Sequence, residues 1–146
     1  MLRLSILILS ALISLNLNGQ NLEKFLWKNR VLIIKSDEAT STTYQNQFAE
    51  FQNSIEPFKD RKLVVLQVVG AKYKIIAFDK KEDDKFYALT ENFKKEVLRE
   101  NFPFEIILIG LDGGVKLRQT QPLKKEELYQ LIDSMPMRAF ELKNRN

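Results

Sequence analysis

Lys116 and Arg118 stand two apart in the alternating run Val115-Lys116-Leu117-Arg118, and Arg138 follows a Met135-Pro136-Met137 corner. Cations placed this way can hold a carboxylate, a sulfate or an acidic protein surface, and a guanidinium can do so with two parallel hydrogen bonds. The plainer expectation is solvated charge, with Arg138 spaced to pair with Asp133 at a helix end. Trp27, the single tryptophan, is either an exposed aromatic anchor or a residue packed beside the first strand. Trp27, Lys116, Arg118 and Arg138 form the candidate binding surface.

Other chemistries are poorly supplied. The chain has no cysteine and no histidine. Disulfide exchange and peroxide reduction need a thiolate and are excluded. A serine nucleophile would depend on lysine or carboxylate as base, and neither Ser-x-x-Lys nor a nucleophile elbow occurs. Asp83-Asp84 and Glu126-Glu127 read as solvated helix starts. Asp112-Gly113-Gly114 offers one carboxylate, where a calcium loop needs several oxygen ligands. No catalytic, cofactor-binding or metal-binding residue is assigned, and no cofactor is expected.

The formal net charge is +4, and the basic residues cluster only in pairs such as Lys80-Lys81 and Lys124-Lys125. Nucleic-acid binders concentrate charge on one face, so none is expected as a partner. At the N-terminus, Arg3 precedes Leu4–Leu17, apolar apart from Ser5, Ser10, Ser14 and Asn16. As a helix this stretch would cover about 21 Å, short of a hydrocarbon core of about 30 Å. Residues 1–19 therefore read as a signal peptide cut after Gly19. The mature protein is then exported, periplasmic or extracellular, with no membrane span. Without cysteine it must be stable through core packing alone.

The elements that position these residues follow from periodicity. Val31–Ile34 reads as a buried strand. Tyr44, Phe48, Phe51 and Ile55 mark one face of a helix, with Pro57 near its end. Leu63–Val69 reads as a central strand with both faces covered. Lys72–Asp79 is either a short edge strand or an irregular connection. Asp83 or Asp84 caps a helix through Phe86, Leu89, Phe93 and Val97. Phe104–Ile109, Asp112-Gly113 and Val115–Gln119 form a hairpin with Val115 and Leu117 inward and Lys116 and Arg118 outward. A final helix begins near Pro122, buries Leu128, Leu131, Ile132 and Met135, and stops at Pro136. Residues 20–142 form one domain, and 143–146 a polar tail.

This order, βαβ, helix, ββα, is that of an α/β thioredoxin-like three-layer sandwich, a mixed sheet with helices on both faces. In redox members the nucleophile follows the first strand, here Lys35-Ser36-Asp37-Glu38-Ala39-Thr40-Ser41, which holds no thiol. Asp37, Thr40 and Ser41 suit helix capping. Pro103 lies where such proteins place a cis-proline; a trans strand-entry proline is the other expectation.

Three segments carry a more specific likeness: Leu26–Leu32, Leu108-Ile109-Gly110 through Arg118, and Ile132-Asp133-Ser134-Met135-Pro136-Met137-Arg138. Together they resemble the bacterial domain of unknown function 4174 family, which is related to domains of vertebrate extracellular matrix and sushi-repeat proteins. The resemblance implies a thioredoxin- or peroxiredoxin-like fold in exported proteins with no established activity. Leu111 departs from it, since the family more often has lysine there. The expected function is a non-catalytic module binding a protein or an acidic envelope component. The alternative is an enzyme using non-thiol chemistry at the former redox edge.

Overall fold

Val31–Ile34 has no polar side chain to offer solvent, and a strand with two apolar faces needs cover on both. In the computed structural model, which describes residues 22–77 and 84–145, this stretch lies within β1 (Arg30–Ser36), buried along its whole length. β1 runs parallel to β2 (Leu63–Val69) and antiparallel to β5 (Phe104–Ile109). β3 (Lys72–Ile76) and β4 (Tyr87–Ala88) extend the sheet beyond β2, and β6 (Val115–Gln119) forms the opposite edge. The strand order is β4-β3-β2-β1-β5-β6.

Side chains alternate between two cores. Leu32 and Ile34 join Leu63, Val65, Ile106 and Leu108 on one face. That face is covered by Tyr44 of α1 (Thr42–Glu50), Phe58 of α2 (Ile55–Asp60) and Leu128 and Ile132 of α4 (Lys125–Asp133). Val31 and Ile33 join Val64, Leu66, Val68 and Ile107 on the other. There Phe93 of α3 (Glu91–Glu96) and Phe25 of a 3-10 turn (Leu22–Phe25) supply the cover. This is an α/β sandwich, and the central β2-β1-β5-β6 has the thioredoxin-like arrangement of one parallel and two antiparallel neighbours. α5 (Pro136–Lys143) completes the element list.

The structure differs from the sequence reading where local geometry competes with periodicity. The single helix expected through Ile55 is two. The first ends at Glu50 with Phe51 as its cap, Asn53 then turns the chain at φ +61°, and the Phe51 and Phe58 rings meet edge to face at 5.4 Å. Ile55 is left 54% exposed. Pro57 falls in the first turn of α2, where a missing N–H costs nothing. The helix expected from Asp84 starts only at Thr90, whose hydroxyl accepts from the Phe93 N–H. Residues 87–88 pair with β3 instead, and the Leu89 N–H donates to the Ala71 carbonyl. Asp83 and residues 1–19 lie outside the described residues.

Pro136 stops α4 as expected and also begins α5 as its first residue, a position suited to its fixed φ. A bulge alters the hairpin: Ile109 pairs with Val115 but Leu108 with Leu117. The extra residue turns Val115 outward, 52% exposed, rather than into the core. No described peptide bond is cis, so Phe102–Pro103 is trans.

Candidate functional site

The C-terminal end of β1 is where a thioredoxin-like fold places its chemistry, and here charge fills it. Lys35 is 4% exposed. Its ammonium donates to the Phe102 and Arg99 carbonyls and lies 3.0 Å from an Asp37 carboxylate oxygen. Asp37 therefore pairs with Lys35 rather than capping α1, whose cap is Ser41. Directly opposite Lys35 in the β1–β5 register is Glu105, wholly buried. Its carboxylate accepts from the Arg99 N–H at 3.0 Å and from the Arg118 guanidinium. Arg118 also donates to the Val97 carbonyl at 2.9 Å. The buried acid thus draws Arg118 back across the sheet to tie β6 to the α3–β5 connection. Arg118 is not the free outward cation expected from the alternation.

The opposite pole holds a second charged cluster. Arg138 is 2% exposed. Its guanidinium reaches Asp60, Asp133 at 3.1 Å and Glu141 at 3.3 Å, and donates to the Asp60 carbonyl at 2.8 Å. Arg61 adds a fork onto Asp133, Arg145 pairs with Asp60, and Arg30 reaches Glu141 at 3.2 Å. Burial works to raise the Asp60 and Asp133 pKa values. Hydrogen bonds from Arg145 and Arg138 on Asp60, and from Arg61 and Arg138 on Asp133, prevail and hold both carboxyls below their ordinary range. Burial likewise opposes the charge on Arg138, but its three acids raise its pKa. Arg30 goes the other way: desolvation lowers its pKa despite Glu141. Arg138 is therefore not a surface cation. Its pairing with Asp133 is one part of a network that clamps α5 to α2 and α4.

The remaining two candidates meet at the hairpin. Trp27 is 62% exposed and sits at φ +63°, an uncommon and strained conformation for a bulky residue. Its N–H donates to the Leu111 carbonyl at 2.7 Å. Gly113, at φ +82°, lies so close that a Cβ there would stand 3.1 Å from a methyl of Leu26. Glycine is needed at this point for both reasons. Lys116, its side chain 34% exposed, lies 2.9 Å from Asp112. Hydrogen bonds from Lys116 and from the Gly114 N–H hold the Asp112 carboxyl below its ordinary range. Leu111 itself is buried, and its carbonyl is the backbone seat of Trp27.

The structure thus seats Trp27 on the hairpin that carries Lys116, and commits Arg118 and Arg138 to structural pairs at opposite ends. The sequence reading passed over Lys35, Glu105, Arg30, Asp60 and Glu141. A signal existed for three of them: Arg30 and Lys35 flank the apolar run of β1 and Glu105 interrupts β5, and a charge buried there needs a partner. Among the described residues no group of three or more acids is placed to hold a metal ion, and no helix is long and apolar enough to cross a membrane. No curated protein and no solved structure matches the chain. One family model does, over residues 21–141, and the chain belongs to the family it describes, the domain of unknown function DUF4174.

Proposed function

We propose that this chain is an exported, non-catalytic module that binds a protein or an acidic envelope component through the β5–β6 hairpin and Trp27. One observation carries this reading: the only tryptophan is held in a strained backbone conformation against the hairpin with most of its ring in solvent. Strain kept by a residue that buries so little favours a role outside the fold's own stability. Lys28, the next residue, and Lys116 of the hairpin that seats Trp27 are both exposed cations, a combination suited to an acidic surface with an apolar centre. Export rests on Arg3 and the apolar stretch Leu4–Leu17.

The alternative, an enzyme at the Lys35–Pro103 edge, has less behind it. The Lys35 ammonium has two carbonyls and a carboxylate as partners, and Glu105 is sealed from solvent. Neither is poised as a free base. Amine-reactive cross-linking in the native envelope or secretion medium, read by mass spectrometry, tests the binding role. A recurrent partner joined through Lys116 or Lys28, and lost in the Trp27→Gly variant, which keeps both amines, is expected. No recurrent partner despite efficient labelling, or one retained by Trp27→Gly, rejects the surface.

A further inference from the structure

The turn between β5 and β6 contains a bond that peptide chemistry makes vulnerable. Asp112-Gly113 is the only Asp-Gly step in the chain. In an open chain the Gly amide nitrogen attacks the Asp side-chain carbonyl carbon, since glycine has no side chain to obstruct the approach. A new N–C bond closes a succinimide ring, and the carboxyl hydroxyl leaves as water with the amide proton. Hydrolysis returns that water. Where it opens the ring at the main-chain carbonyl, the backbone then runs through the Asp side chain, as an isoaspartate one methylene longer. The fold cannot avoid this by replacing Gly113, which sits at φ +82° against Leu26.

Both reacting groups are engaged elsewhere. The Gly113 N–H donates to the Gly110 carbonyl at 3.0 Å. One Asp112 carboxylate oxygen accepts from the Gly114 N–H and the other from the Lys116 ammonium, each at 2.9 Å. An ionised carboxyl has no hydroxyl to lose, and the hydrogen bonds from Lys116 and Gly114 favour the ionised form. Lys116 reaches Asp112 by lying across Gly110. A Cβ added at Gly110 would stand 2.5 Å from the lysine Cε and 3.3 Å from its Cγ. Gly110 is not at positive φ, so its bare Cα serves this close approach and not a turn conformation. Stability is a poor reason for the arrangement, because an ion pair as exposed as this one adds little.

We infer that Asp112 is a latent isoaspartate site and that Lys116, laid over Gly110, guards it by holding the carboxylate away from succinimide formation. The product would lengthen the backbone next to Leu111, whose carbonyl seats Trp27. The inference holds whether or not Trp27 meets a partner, so it can fail without the proposed binding role failing. The test ages the folded full chain at neutral pH and physiological temperature. Isoaspartate at Asp112 is mapped by mass spectrometry after digestion with a protease that cuts before aspartate and not before isoaspartate. Wild-type chain unfolded in guanidinium chloride should isomerise at Asp112, and folded wild type severalfold more slowly. Lys116→Met should speed the folded chain severalfold. Gly110→Ala should do the same, since it keeps both charges and pushes the lysine aside. Lys116→Arg, which restores a cation of similar reach, should stay slow. The inference is overturned if folded Lys116→Met and Gly110→Ala age as slowly as wild type, which assigns protection to the rigid turn alone. It is also overturned if Lys116→Arg ages as fast as Lys116→Met, or if folded and unfolded wild type age alike. Acceleration seen only in variants that thermal denaturation shows to be unfolded overturns it too.

Discussion

At the scale of the residue, Trp27 and Arg138 exchange the roles their types suggest. The large aromatic is exposed at a strained φ, and the arginine is buried among three acids. Replacing Trp27 by glycine removes the left-handed penalty, so stability should hold or rise by up to about 1 kcal/mol while partner binding is lost. Thermal denaturation together with the cross-linking yield checks both halves, and a clear loss of stability would make Trp27 a packing residue. Arg138→Met should destabilise. A lone broken buried pair costs about 3–5 kcal/mol. Here Asp60, Asp133 and Glu141 each keep another arginine, Arg145, Arg61 and Arg30. The loss should therefore be nearer about 2 kcal/mol, measured by denaturant titration. Arg138→Lys should not restore it, since an ammonium cannot span the same fork of acids.

At the scale of the element, α5 is held by ion pairs and not by apolar contact with the core. Its attachment should depend on pH in a way β1 does not. Asp60 and Asp133 have folded pKa values below their unfolded ones. The unfolded carboxyls therefore take up protons first as pH falls. Their contribution is complete above the unfolded value of about 4 and is lost as pH drops through the depressed folded values. Hydrogen exchange should show α5 amides losing protection in acid, and in high salt at neutral pH, while β1 and β5 stay protected. Equal protection of α5 and β1 down to the acid unfolding transition would mean that something other than these ion pairs holds the helix. The hairpin behaves differently, since its register rests on backbone pairing with β5 and on one glycine at positive φ.

At the scale of the whole molecule, the charged clusters divide the domain into two poles joined by a continuous apolar sheet. The pole at the C-terminal end of β1 is closed by Lys35, Glu105 and Arg118, and the pole at its N-terminal end carries the hairpin, Trp27 and α5. The proposed contact surface at Trp27 and the hairpin therefore lies away from the edge where this fold places redox chemistry. If the chain is exported, intact-mass measurement of protein recovered from the envelope or medium should find residues 1–19 removed; a full-length mass in the cytoplasm would reject export.

β2 and β5 were legible in the sequence to the residue and β1 to within two, because a short, largely apolar run has few ways to be satisfied except as a doubly covered strand. The Asp112-Gly113 turn was legible for a similar reason, as a local backbone demand met by local residues. The absence of a thiol excluded thiol redox chemistry without any structure. The fate of the cations was not legible. Whether Arg118 faces solvent depends on Glu105, in the neighbouring strand and across a bulge. Whether Arg138 is a surface charge depends on Asp60, far away along the chain. The late start of α3 at Thr90 was decided by β3, which takes residues 87–88 into the sheet. Apolar burial follows a period that one segment carries within itself, whereas a charge is satisfied by whichever partner the tertiary structure brings within about 3 Å.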